Sequence, residues 1–128
     1  MNRRKVLFAV IISLSFLALG AGVYWYGNFS PIPFDAAIWL QGEQAKFSSD
    51  APRLRMADGL VKTGVLLNKT HNEVLSMLGS PTKTTKFCEY DLVYWLGAER
   101  SFISIDSEWL AVRINNAGRV SEVCIVRD

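Results

Sequence analysis

The chain has 128 residues, half of them apolar and 20% charged, with a formal net charge of +2; that length holds one small domain plus an appendage and excludes a two-domain enzyme. Mean hydropathy is +0.17, and the excess is local, because residues 6–34 carry no charged side chain. Three of the 14 basic residues (Arg3, Arg4 and Lys5) precede that run, leaving 11 against 12 acidic residues in the remainder, a near-neutral balance that excludes a nucleic-acid binder built on a basic patch.

Residues 1–5 are a short basic stretch. Residues 6–23 (VLFAVIISLSFLALGAGV) are broken only by Ser and Gly and are followed by Tyr24, Trp25 and Tyr26. A helix rises about 1.5 Å per residue, so about 20 residues cross a bilayer core of about 30 Å. Residues 6–26 therefore predict a transmembrane helix with its aromatic trio at the far interface. The competing reading is a signal peptide cut near Ala18 and Gly20. The run exceeds the usual signal core of about 7–15 residues and ends in bulky rings, which favours an uncleaved anchor. No Cys near the end of the run could accept a lipid. The basic start predicts a cytoplasmic amino terminus in the inner membrane, a single pass, and an exported remainder in the periplasm or outside.

Residues 27–49 contain two prolines and a glycine near their start (GNFSPIPFD) and read as an extended spacer, because proline fixes φ and removes a backbone donor. Within them, residues 36–40 can form a short helical turn whose Ile38 and Trp39 pack on the domain. Ser49-Asp50-Ala51-Pro52 marks a helix start, with a capping oxygen from Ser49 or Asp50 and Pro tolerated in the first turn. Leu54, Ala57, Leu60 and Val61 then recur at helical spacing, and Gly64 closes a helix over residues 52–63. Thr70-His71-Asn72-Glu73 is a capping box, Val74, Leu75 and Leu78 supply a buried face, and Gly79 and Pro81 end a helix over residues 71–78.

Periodicity then falls from 3.6 to 2. Across residues 87–96, Cys88, Tyr90, Leu92, Tyr94 and Leu96 share one face, predicted to face inward. Residues 109–115 alternate again, Asn116-Ala117-Gly118 makes a tight hairpin turn, and residues 119–126 return as the third strand. Residues 97–108 (GAERSFISIDSE) form a 12-residue loop, a length that marks functional connections. Residues 50–128 thus predict an α+β domain in which two helices pack on a three-stranded antiparallel meander (ααβββ), behind an N-terminal transmembrane helix. The second sheet face, with Glu89, Asp91, Arg113 and Glu122, is expected to stay partly wet.

Leu66, Thr70, Val74, Leu78-Gly79-Ser80-Pro81, Tyr90, Tyr94-Trp95, Leu110-Ala111-Val112 and Asn116-Ala117-Gly118-Arg119-Val120 together resemble the SmpA/OmlA (BamE-like) family of small envelope proteins over residues 50–126. The resemblance implies the ααβββ fold, an export address and a non-enzymatic accessory role in an envelope protein assembly. The β-lactamase-inhibitor proteins look like doubled versions of the same unit, which implies a protein-binding use. Where family lipoproteins carry a lipidated Cys, this chain has an apolar anchor, and Asn68-Lys69-Thr70 stands where the family has Gly-Met-Thr.

Catalytic chemistry is sparse. His71 is the only histidine, and a helix first turn disfavours its charged form. Cys88 and Cys124 are expected as free thiols, since strands flanking a central one lie about 9–10 Å apart, beyond the bridging limit of about 7 Å; with one His they are too few for a structural zinc site. Asp91, Glu99, Asp106 and Glu108 lack the spacing of a cation loop and read as a solvated acidic rim. Asn28-Phe29-Ser30 and Asn68-Lys69-Thr70 match glycosylation acceptors, a pattern common by chance. No enzyme, metal or cofactor is expected. The expected function is a membrane-anchored, protein-binding accessory that contacts its partner through Trp95, Phe102, Ile103 and Trp109 on the open sheet face and the long loop. The other readings are an inhibitor of an envelope or secreted hydrolase and a small-ligand or lipid-binding module.

Overall fold

The computed structural model describes residues 3–42, 51–101, 103 and 105–128. The chain divides between Ser30 and Pro31 into two compact units.

The first unit is one helix, α1 (Arg3–Phe29), about 40 Å long at 1.5 Å per residue. Its segment Arg3–Tyr26 has a hydropathy of 2.5 and none of it is buried in protein. Among the described residues it is the one helix long and apolar enough to cross a membrane, properties that an anchor shares with an export signal. The polar side chains inside it are satisfied locally: Ser13 Oγ donates to the Ala9 carbonyl at 2.9 Å and Ser15 Oγ to that of Ile11 at 2.9 Å. A helix that satisfies its own hydrogen bonds and presents apolar side chains all round suits a hydrocarbon environment. The helix runs past the expected span at both ends, taking in the three basic residues and Phe29, whose ring lies 4.4 Å from that of Trp25.

The second unit is α+β. Its elements are α2 (Ala36–Gln41), α3 (Pro52–Thr63), α4 (His71–Leu78), β1 (Leu92–Ala98), β2 (Ser107–Ile114) and β3 (Val120–Arg127), with the strands in antiparallel order β1-β2-β3. The segment read from sequence as spacer starts this unit. Ile32 donates its N–H to the Arg55 carbonyl at 3.1 Å, and Asp35 caps α2 by accepting from the Ile38 N–H at 3.0 Å. The reason is Trp39. Its side chain is 0% exposed, its indole donates to the Leu78 carbonyl at 3.1 Å, and its ring lies 6.0 Å from Phe34 and 6.2 Å from Tyr94. Burying one large aromatic draws this segment onto the domain.

Helix α3 begins after Ala51, which takes positive φ (29°); the expected caps Ser49 and Asp50 lie outside the described residues. The helix buries Leu54, Met56, Ala57 and Leu60, and also Arg53. That guanidinium sits 5.0 Å over the Trp39 ring and donates to the Trp39 carbonyl at 2.8 Å. Gly64 closes α3 in the left-handed region (φ 64°). The capping box of α4 is present in both directions: Thr70 N–H donates to Glu73 at 2.7 Å, and Glu73 N–H to Thr70 Oγ1 at 3.3 Å.

The sheet pairs Tyr94 with Leu110 and Leu110 with Ile125, and Leu92 with Val112 and Val112 with Val123. These residues and Leu96 face the helices, where α3 lies against β1 and β3 and α2 against α3 and α4. The first strand starts five residues later than its alternation predicts. Phe87 has positive φ (57°), and Tyr90 N–H closes a turn onto the Phe87 carbonyl at 3.0 Å. Cys88 is therefore exposed rather than inward, and Tyr90 lies on the sheet's other face, its hydroxyl 3.4 Å from Cys124 Sγ and its ring 4.9 Å under Arg113. Val93 and Ala111 are buried on that second face, while Glu89, Asp91, Arg113 and Glu122 are all exposed, in line with a partly wet face.

Candidate functional site

Gly97 and Ala98 pair with Glu108 and Ser107, so the long loop is a hairpin connection of residues 99–106. Gly97 is required at its base. It takes φ 151° at a bulge, and a Cβ there would lie 2.9 Å from Leu54 Cδ1. Glu99 N–H donates to the Asp106 carbonyl at 2.9 Å and closes the connection.

Above that base a charged clamp fixes the loop to the body. Glu108 follows the same alternation as Leu110 and Val112, so its carboxylate points to the helix side, where it is 0% exposed. Arg100 meets it three times: backbone N–H to Oε1 at 2.9 Å, Nε to Oε2 at 3.1 Å and Nη2 to Oε2 at 2.7 Å. The same guanidinium reaches Asp58 of α3 with Nη1 at 2.5 Å and Nη2 at 3.1 Å. Arg127 of β3 adds contacts to Glu108 and Glu99, each at 3.3 Å. Burial opposes the charge on Arg100, but its hydrogen bonds to the Asp58 and Glu108 carboxylates outweigh that and raise its pKa. Burial likewise pushes the Glu108 carboxyl up, and the Arg100 hydrogen bonds and charge outweigh that and hold it below the ordinary carboxylate range. Bidentate, charge-assisted pairs of this kind fix geometry as well as charge.

What the clamp presents is apolar. Ile103 is 67% exposed and Ile105 82% exposed at the tip. Of the residues expected to contact a partner, Ile103 lies in the open, and Phe102 lies outside the described residues. Trp95 is half-buried on β1, its backbone N–H donating to Thr82 Oγ1 at 2.9 Å. Trp109 is only 8% exposed, with the Phe87 ring 6.0 Å away. It is a packing residue, because the 87–90 turn lies beside it. Sequence reasoning missed Ile105, Arg100 and Asp58. The signal available was the phase of β2, in which Glu108 falls two residues before buried Leu110 and so must be paired.

The remaining candidates do not converge. His71 is exposed in the first turn of α4. Asp91 accepts from the Ile114 N–H at 2.6 Å, and Asp106 is exposed. Glu99 and Glu108 belong to the clamp, which corrects the reading of all four carboxylates as a solvated rim. Among the described residues no group of three or more His, Cys, Asp or Glu is placed to hold a metal ion. No protein-family model, characterised protein or solved structure matches this chain.

Proposed function

We propose that this chain is a membrane-anchored, exported, non-enzymatic protein-binding accessory that meets its partner through the 99–106 hairpin tip. The observation that carries the reading is the pairing of two exposed isoleucines, Ile103 and Ile105, with an Arg100–Glu108 ion pair in which Glu108 is buried. Exposed apolar side chains grouped beside a polar rim are a feature of protein-binding surfaces. The resemblance to the SmpA/OmlA family supports an accessory role in envelope assembly. The basic residues before α1 support a cytoplasmic amino terminus and a single pass through the inner membrane, with the second unit on the exported side.

The test is site-directed photo-crosslinking in intact membranes. A crosslinking residue at position 103 or 105 of the full chain is expected to give a discrete adduct that the same residue at exposed Ser121 does not. Ile103→Asp with Ile105→Asp should lower co-purification of that adduct partner by about tenfold or more, as loss of two buried aliphatic contacts implies. The unfolding temperature should not move. Equal adducts at positions 103 and 121, or co-purification unaffected by the double substitution, would remove the tip from the interface.

A further inference from the structure

The sheet has two edges, and they differ. Along β1 the outer side is covered by Thr82, whose N–H donates to the Val93 carbonyl at 2.8 Å and whose Oγ1 accepts from the Trp95 N–H at 2.9 Å. The start of β3 is covered in the same way: Val120 donates its N–H to the Lys69 carbonyl at 2.9 Å and accepts from the Asn68 N–H at 3.0 Å. Beyond the bulge opposite Arg113 and Ile114, the rest of β3 has no such cover among the described residues.

The phase of β3 shows which groups are open. Asp128 N–H donates to the Ser107 carbonyl at 3.4 Å, one step past the Glu108–Arg127 pair. Antiparallel pairs alternate between those that exchange hydrogen bonds and those that do not. Glu122, Cys124 and Val126 therefore turn their backbone groups to β2, and Val123, Ile125 and Arg127 turn theirs outward. Among the described residues no hydrogen bond reaches those outward groups. The side chains along the stretch are Val123, Cys124, Ile125 and Val126, four apolar residues in succession, all half-buried. Edge strands are usually guarded by a Pro, a Lys or an inward-pointing charge, and these four positions hold none of them.

The open stretch is complementary to itself. We propose that β3 pairs antiparallel with β3 of a second copy of this chain, about a two-fold axis at Cys124, joining two sheets into one of six strands. In that register Val123 lies opposite the second copy's Ile125 in both halves, and the exchanged hydrogen bonds fall on the outward groups. Each contact continues an apolar row, because Val123 pairs with Val112 and Ile125 with Leu110, and all four belong to the core or pack against it. The neighbouring two-fold registers are poorer. Centring on Val123 sets Arg127 against the second copy's Arg119 and Ile125 against its Ser121. Centring on Ile125 sets Glu122 against the second copy's Asp128 and Val123 against its Arg127. Like charges directly opposite are destabilising, so charge and apolar matching select the same register. This self-association rests on neither the anchored reading nor the hairpin tip.

Cys124 reports the pairing directly. Cys88→Ser leaves it as the one thiol of the full chain. In phosphatidylcholine vesicles, oxidation with copper phenanthroline is expected to link most chains as dimers through Cys124, because opposed residues of a non-exchanging pair have Cα atoms about 4.5 Å apart, inside the disulfide range of about 4.4–6.8 Å. Moving the thiol to exposed position 122 (Cys88→Ser, Cys124→Ser, Glu122→Cys) should lower the yield about tenfold, since the two 122 positions are then four residues apart along the ladder, at about 3.3 Å each. In the Cys88→Ser chain, Ile125→Pro removes an outward N–H from each copy and no bond to β2; the yield should fall about tenfold, as loss of two hydrogen bonds implies, with the unfolding temperature unchanged. Val123→Lys places a guarding charge on the same edge and provides a second variant with the same expected loss. Absence of a Cys124-linked dimer would overturn the pairing. Equal yields at positions 122 and 124, as dimers held through α1 alone would give, would overturn it too, and so would a yield that neither edge substitution lowers.

Discussion

Arg100 and Glu108 tie the loop, the sheet edge and α3 together through five side chains, and the two of them carry most of that junction. Removing one partner of a buried ion pair typically costs about 3–5 kcal/mol, because it strands the other charge. Arg100→Leu should therefore lower stability by an amount of that order, a large share of the roughly 5–15 kcal/mol typical of a domain. Arg100→Leu with Glu108→Leu should recover much of the loss, since neither charge is then buried alone. Chemical denaturation of the three proteins checks this, and a double variant weaker than the single one would contradict it. The pH dependence follows with its sign. The Glu108 carboxyl is held below its ordinary value, so the folded state binds its proton less tightly than the unfolded state. Its contribution is fully present above about pH 4.3, the unperturbed Glu value, and is lost as pH falls through the lower folded value. Glu108→Gln should flatten the acid limb of the stability curve while leaving its slope above pH 5 unchanged.

Element by element, the helices follow their caps more closely than the strands follow their alternation. For α4 the box formed by Thr70 and Glu73 is a local, two-way hydrogen-bond pattern. Thr70→Ala should therefore cost about 1 kcal/mol, the usual value of a lost N-cap, and accelerate amide exchange in residues 71–74. Unchanged exchange there would mean that tertiary packing alone holds α4. The sequence conveys α3 and α4 because periodic apolar residues and terminal signals agree over the same stretch. It does not convey the start of β1, because the residues of the 87–90 turn continue the alternation that a strand would show. Only the positive φ of Phe87 and the packing of Tyr90 on Cys124 break the strand, and neither is a local composition signal. The six residues of α2 are too few to set a period, so the anchoring of Trp39 against Leu78 and Tyr94 was legible only as a bulky residue in need of cover. At the candidate site, Ile103 stood out as an apolar residue in a long loop. The clamp did not, since Asp58, Arg100 and Arg127 lie far apart in sequence and meet only when the hairpin packs on α3.

At the scale of the whole molecule, the chain divides at Ser30 into two units, and none of the Arg3–Tyr26 segment of α1 is buried. A helix of that hydropathy with no protein cover is costly in water, at about 25 cal/mol per Å² of exposed apolar area, a cost that a bilayer or removal by a peptidase would relieve. On the proposed anchored reading, the charge pattern supports one direction. Arg3, Arg4 and Lys5 precede the span, and no basic residue follows until Lys46; such an imbalance retains the basic side in the cytoplasm. A reporter that is active only after export, fused after Asp128, should therefore be active. Changing all three basic residues to Glu should sharply reduce that activity, because the asymmetry then no longer holds the amino terminus inside. Intact mass after membrane extraction separates the two surviving fates of α1. A full-length mass means an anchor, and a chain beginning near Ala21 means a cleaved signal. A reporter active only when retained in the cytoplasm would reverse the topology, and with it the exported setting on which the accessory role depends.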